Sequence, residues 1–463
     1  MTGADGGPSP LDVPLAVLAD WYRSGRCAPT GVVEQSHDRV ERVGQALGAV
    51  TELLDRNLTD ARRLTDELAS GLDRGPLHGV PVVVKELIDI GGHVRTAGTR
   101  VRPPGWAVPV SEDAAVVARL RAAGAVVVAR ARTHEFAWGI TSRHPDGTGV
   151  ANPFDATLIA GGSSGGAAAL VAAGCAPVGI GTDTGGSVRI PAAFCGLVGW
   201  KPAYGRLSTE GVVPLAGSFD HVGVLTRTVA DAVIVDATLD GGLGGRSRGS
   251  DVPPGPLRVA RLEDGSWPTV SAVVADTLAV ACRRAGVADS VRAGSGTDEL
   301  PPAADIVEAY GVLQRSEALA VHRDLLGTWP DQAEAYGEDV AGRLREAQAL
   351  APESVVAAGK ARAEVRDAYD RVFATEGVDA VVLPAAAGGP SPIVDPDTVE
   401  VDGVSMPLRD AVMPFTIPAN VTGWPAMVVP VGRAGDHPPI SVQIVARPGF
   451  EHLMPDLAIR LQA

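Results

Sequence analysis

Two glycine-rich segments and one lysine are the residues whose types and spacing could do chemistry. The segments are Gly161-Gly162-Ser163-Ser164-Gly165-Gly166 and Gly181-Thr182-Asp183-Thr184-Gly185-Gly186-Ser187. Glycine permits positive φ and lets the backbone approach a ligand closely. Each segment precedes a helical pattern, so N–H groups at a helix start can converge on an anion. Such an arrangement suits a phosphate cradle or an oxyanion hole. Lys85 ends the apolar run Val80-Pro81-Val82-Val83-Val84. Burial there would depress its pKa. A neutral amine can then act as a base, the partner a serine hydroxyl needs to become a nucleophile. The alternative is a lysine that pairs with Glu86 or Asp89 at a strand end.

The phosphate reading fails on motif, because neither loop is followed by Lys-Ser/Thr and neither gives GxGxxG. A second hydrolase reading takes Gly162 to Gly166 as G-x-S-x-G, with Ser164 as the nucleophile of an α/β-hydrolase. It needs a strand just before the motif and a late histidine. Residues 155–159 read poorly as a buried strand. His437 stands beside a Pro-Pro pair and His452 falls in the final helical stretch.

The elements that must position these residues follow from periodicity. Residues 11–70 carry apolar positions three and four apart and read as helices. The run ending at Lys85 and residues 125–129 read as buried strands. A helix is expected over 111–124, with Ser111 as its N-cap. A helix over 165–174, a strand over 176–181 and a second helix after Ser187 follow. Strand patterns return over 378–383, 426–431 and 440–445, and a helix closes the chain over 451–461. Strands alternating with helices imply βαβ units. The expected fold is one large α/β domain, with a central mixed, mostly parallel twisted sheet covered by helices on both faces. Its parts are a disordered tail over 1–10, N-terminal helices over 11–75 and a catalytic core over 76–245. A peripheral helical layer over 250–376 and closing strands and a helix over 377–463 complete it.

Composition excludes several classes. A net charge of −15 without a basic cluster disfavours nucleic acid. No apolar run reaches the length of a membrane span, and residues 1–10 lack the form of a secretory signal. A cytoplasmic location is expected. Cys27, Cys175, Cys195 and Cys282 form no CxxC, so neither a disulfide framework nor a zinc site is expected, and Cys195 reads as a small buried hydrophobe. Homodimers are common among soluble enzymes, though no interface is legible.

Several ordered motifs resemble the amidase signature family. They are Val84-Lys85-Glu86-Leu87-Ile88-Asp89, both glycine loops, and Val188-Arg189-Ile190-Pro191. The family's spacing also places Ser163 and Ser187 24 residues apart. Further matches are Thr133-His134-Glu135-Phe136-Ala137, Asn152-Pro153, Phe194 to Gly199, Lys201 to Arg206, Ile417-Pro418-Ala419-Asn420 and Ser441-Val442-Gln443. The resemblance covers roughly residues 10–460 and is thin between 250 and 375.

The resemblance implies a Ser-Ser-Lys triad. Ser187 would form an acyl-enzyme, Ser163 (expected in a cis peptide conformation) would relay protons and Lys85 would be the terminal base. Backbone N–H groups of Thr184, Gly185, Gly186 and Ser187 would hold the oxyanion. No cofactor or metal is implied. The substrate would be a small-molecule amide. Ser164 would bond within the triad or cap its helix, and Asp183 would order the loop or pair with Arg189. Arg206 is a candidate reader of a substrate carboxylate, its alternative being a surface loop arginine. His134, Trp138, His144 and His221 are lesser pocket candidates. The amidotransferase A subunit of the family usually carries Met-Asp-Glu-Phe-Ala-Met-Gly and Ser-Leu-Asp-Gln. Here those places read Thr133 to Gly139 and Ser218-Phe219-Asp220-His221, which favours a stand-alone amidase. A partner-dependent subunit of that kind and an amide-forming tailoring enzyme are the alternatives.

Overall fold

A computed structural model describes residues 7–54, 57–240, 257–293, 299–432 and 439–463. Its centre is an eleven-stranded sheet. In chain order its strands are β1 (Val50–Leu53), β2 (Pro81–Lys85), β3 (Val126–Ala131), β4 (Val178–Asp183), β5 (Val198–Lys201), β6 (His221–Thr226), β7 (Val259–Asp264), β8 (Asp289–Ala293) and β9 (Ala380–Pro384). A separate hairpin, β10 (Thr398–Val401) and β11 (Val404–Pro407), precedes the last two, β12 (Ala426–Gly432) and β13 (Ile440–Ala446). The spatial order is β1-β3-β2-β4-β6-β5-β12-β13-β9-β7-β8.

The sheet is mixed, but parallel pairing is confined to β3-β2-β4 and β9-β7-β8. Between these groups β6, β5, β12 and β13 pair antiparallel with their neighbours. The expectation of mostly parallel pairing therefore holds for two blocks only. Parallel neighbours need a long crossover, whereas antiparallel neighbours can be joined by a short turn, as β10 and β11 are.

The strands that carry the site are buried on both faces, which explains their β-branched runs. Every residue of β2, β3 and β4 is buried. Beneath them lies the helix Gly165–Ala172, apolar all round and buried along seven of its eight residues. Parallel register aligns Val84 with Ile180, so the carboxyl ends of β2 and β4 lie on the same side of the sheet. Carboxyl ends of parallel strands are where open α/β sheets bind ligands.

Three local expectations are corrected. The helix expected over 111–124 is Ala115–Ala122, and its N-cap Ala114 offers no side-chain cap. Ser111 lies outside it, and Asp113 instead accepts the Gly91 N–H (2.8 Å) and pairs with Arg121 (2.9 Å). The layer over 250–376 contains the expected helices, among them Ala303–Ala320, Glu338–Gln348 and Pro352–Glu376, but also adds β7 and β8 to the sheet edge. Their charged, half-exposed residues hide the strand pattern, since an edge strand need not be apolar. Of the tail expected over 1–10, residues 1–6 lie outside the described residues. Ser9, by contrast, is buried and its hydroxyl accepts the Leu11 N–H at the turn Pro10–Asp12. Among the described residues, no helix is long and apolar enough to cross a membrane.

Candidate active site

Lys85 is the last residue of β2 and is fully buried. Its ammonium donates to Ser163 Oγ (2.7 Å) and Thr182 Oγ1 (2.8 Å). Burial pushes its pKa down to about 7, against the opposing pull of Asp183, Asp220 and Glu86. The alternative ion pair at the strand end does not form. Asp89 holds Arg95 at 2.7 Å. The Glu86 carboxylate accepts the Thr133 N–H (3.0 Å) and the Thr96 hydroxyl (2.8 Å).

The first glycine loop is fixed by its carbonyls. Ser163 O accepts from Thr133 Oγ1 (3.0 Å) and the His134 N–H (3.3 Å). The Gly162–Ser163 peptide is cis. Ser164 is drawn away from any cap: its hydroxyl donates to Thr182 O (3.1 Å) and accepts the Thr182 N–H (3.3 Å). A helix-capping role is thereby excluded, and the α/β-hydrolase reading loses its nucleophile to the β4 backbone. His452 is exposed and bonded to Gly449 O (3.1 Å), while His437 lies outside the described residues.

The second loop is built around a buried charge. Asp183 ends β4 and faces Arg189, both side chains fully buried, at 2.9 Å. Burial raises its carboxyl pKa, but Arg189 outweighs this and holds it well below the usual range. The carboxylate also accepts the N–H groups of Gly186 (2.9 Å) and Val188 (3.1 Å). The remaining guanidinium donors of Arg189 reach Thr416 O (2.8 Å), Gln443 Oε1 (2.6 Å) and Asn420 Oδ1 (2.5 Å). The loop is thus tied to the helix Leu408–Thr422 and to β13, both from the far end of the chain. Gly186 has φ +124°, and a Cβ there would meet Thr416 Oγ1 at 2.5 Å, so only glycine fits. Among the described residues, the N–H groups of Thr184, Gly185 and Ser187 donate to no protein acceptor, whereas that of Gly186 is committed to Asp183.

Ser187 opens onto a small cavity that also touches Thr184, Gly185, Trp138, Tyr310, Gln314, Arg409 and Met413. Trp138 Nε1 donates to Gln314 Oε1 (3.1 Å), and Gln314 Nε2 donates to Tyr310 Oη (2.5 Å). An indole N–H can only donate, so the chain has one sense and leaves the Tyr310 proton free to point elsewhere. Burial keeps that phenol protonated, far above its ordinary titration range.

The sequence candidates divide. Lys85 and Ser163 meet where β2 and the first loop join, and Trp138 lines the cavity with Ser187. His134 does not line it: its Nε2 bonds Asp339 (3.0 Å) and it faces a neighbouring polar cavity with His144. Arg206 is turned away to Asp236 (2.6 Å) and Asp240 (3.7 Å), whose buried carboxylates need a cation. Neither of its two sequence readings anticipated that pairing. His221 is locked beneath the second loop by Lys201 (3.2 Å) and Phe219 O (2.6 Å). Tyr310, Gln314, Arg409 and Met413 were missed: the first two lie on a helix without a motif, and the other two stand ahead of the Ile417-Pro418-Ala419-Asn420 motif of theirs. Cys195 is buried with its thiol on Ala160 O (3.4 Å), and all four cysteines are free.

Known proteins share this architecture. The family model described as Amidase matches residues 31–454. The AtzE subunit of 1-carboxybiuret hydrolase from Pseudomonas sp. (strain ADP) is 32% identical, over 94% of this chain and 95% of that protein. The glutamyl-tRNA(Gln) amidotransferase A subunit of Synechococcus sp. (strain RCC307) is 33% identical, over 94% and 93% respectively. A solved structure described as an amidase superposes with a TM-score of 0.85 at 31% identity, covering 97% of this chain and 99% of its own. The chain belongs to the amidase signature family and is a hydrolase of amide C–N bonds.

Proposed function

We propose that this protein hydrolyses a small carboxamide to the acid and ammonia or an amine through an acyl-enzyme on Ser187. The observation that carries the reading is Lys85: buried, free of any ion pair among the described residues and 2.7 Å from Ser163 Oγ. With its pKa near 7, much of it is neutral at neutral pH. A neutral amine keeps one N–H on Thr182 and turns its lone pair to the Ser163 hydroxyl. Ser163 passes its proton to Lys85 and takes the proton of Ser187, whose oxygen attacks the amide carbonyl. The N–H groups of Thr184, Gly185 and Ser187 stabilise the oxyanion. Gly186 falls outside that set because its N–H serves Asp183. Losing one such donor typically costs about 3–4 kcal/mol of barrier. The relay then returns its proton to the leaving nitrogen, the C–N bond breaks, and water releases the acid by the same route.

The test is ammonia release from a panel of primary amides, run beside Ser187→Ala, with mass spectrometry of the intact protein under slow turnover. An adduct of acyl mass on the wild type, absent from Ser187→Ala, supports the reading. Turnover surviving in Ser187→Ala overturns it.

A second reading has its own observation. Two relatives of full length are described as subunits, so this chain could act as one member of an assembly. Full activity of the isolated chain would exclude that.

A further inference from the structure

Among the described residues, the cavity at Ser187 holds one charged side chain, Arg409, and nothing in the proposed chemistry uses it. Arg409 stands in the first turn of the helix Leu408–Thr422. The positive end of a helix dipole disfavours a cation there, so the local structure gives no reason for it. It is exposed, and among the described residues it forms no ion pair or hydrogen bond. Its neighbours are otherwise engaged. Asp339 pairs with Arg343 (2.6 Å) and with His134 (3.0 Å). Arg343 also donates to Trp138 O. Asp410 follows Arg409 in sequence but does not line the cavity. The remaining lining is apolar or neutral: Trp138, Ile140, Leu215, Tyr310, Gln314 and Met413.

We propose that Arg409 selects amides carrying a carboxylate, by pairing with that group in the cavity beside Ser187. The inference rests on Ser187 as the reacting residue and adds the substrate class. A carboxylate fits better than a phosphate for two reasons. A guanidinium presents two parallel donors that match a planar carboxylate. A dianion would leave a second charge uncompensated among apolar walls. The field of Arg409 reaches the cavity wall, since it opposes the upward shift of the Tyr310 phenol.

The test uses matched pairs of substrate: succinamate against butyramide, with the charge on the acyl part, and N-acetylglycine against N-ethylacetamide, with the charge on the amine part. Wild type, Arg409→Gln and Arg409→Lys are compared by kcat/KM. A charge-assisted hydrogen bond predicts a preference of about 10–100-fold for the charged member of one pair. Arg409→Gln should abolish that ratio, chiefly through KM, and Arg409→Lys should restore part of it. Equal rates within both pairs in the wild type overturn the proposal. So does a ratio unchanged in Arg409→Gln, or an equal loss on both members. Calorimetric binding of succinamate and N-acetylglycine to Ser187→Ala, with and without Arg409→Gln, needs no turnover. Arg409-dependent binding without hydrolysis by the wild type would uphold the anion site while refuting the amidase mechanism. Hydrolysis lost in Ser187→Ala, with no charge preference, would do the reverse.

Discussion

Lys85 and Thr182 lie at the carboxyl ends of neighbouring parallel strands, and the Lys85 ammonium lies 2.8 Å from the Thr182 hydroxyl. Thr182 thereby aims the amine, and Ser163 receives it at 2.7 Å. Sheet register, not loop flexibility, sets this geometry. A strand end covered on every side is also what strips water from the amine and brings its pKa to about 7.

Activity is expected to depend on pH through Lys85. The base works as the neutral amine, so kcat/KM should rise with pH through about 7 and level off above it. A pH–rate profile checks this. Lys85→Met should lower kcat by about 10²–10⁴-fold, the usual range for losing a general base, and remove the inflection.

The same shift has a stability consequence of defined sign. Lys85 titrates near 7 when folded and near 10.5 when unfolded. Between these values the unfolded chain binds more protons, so stability attributable to this group rises with pH. Below about 7 the penalty for a buried ammonium is fully present. The slope cannot exceed about 1.4 kcal/mol per pH unit for one proton. Lys85→Met should be more stable than the wild type at pH 6 and lose its advantage towards pH 10. Urea unfolding at both pH values reads this out, and a pH-independent difference would argue against the burial account.

Asp183→Asn keeps the shape of the loop centre but leaves Arg189 buried without its carboxylate. Breaking one partner of a buried pair typically costs about 3–5 kcal/mol. Lower stability and a fall in kcat are both expected, because the carboxylate also positions Gly186 and Val188. Chemical denaturation and steady-state rates on the same preparation test the coupling.

Ser164→Ala distinguishes the two serines of the first loop. Its hydroxyl serves the β4 backbone, so the substitution should destabilise by about 1–2 kcal/mol. Activity should survive within about an order of magnitude of the wild type on the same principle. Ser163→Ala should lose far more activity, because its hydroxyl is the one bonded to Lys85. Reversal of that pattern would restore the α/β-hydrolase reading.

Much of this molecule was legible because its chemistry is local. The β-branched run fixed β2 and placed Lys85 at its end, since few residues can pack both faces of a buried strand. Glycine where a Cβ would strike Thr416 marks the second loop. The strands over 250–376 were not legible, because β7 and β8 lie at the edge with charged residues outward. Arg206 was misread because its partners, Asp236 and Asp240, lie 30 and 34 positions later in the chain, in and at the end of the helix Val229–Leu239.

By itself, then, the sequence determined the family and, through its motifs, the residues proposed here to carry the chemistry. Motifs built from neighbouring residues need no fold to be recognised. Only the tertiary structure decided that Lys85 has no carboxylate partner among the described residues, that Asp183 takes the Gly186 N–H, and that Tyr310, Gln314 and Arg409 line the cavity with Ser187. Those relations join segments more than a hundred residues apart in several cases. They are set by sheet order and helix packing, and no local pattern encodes them.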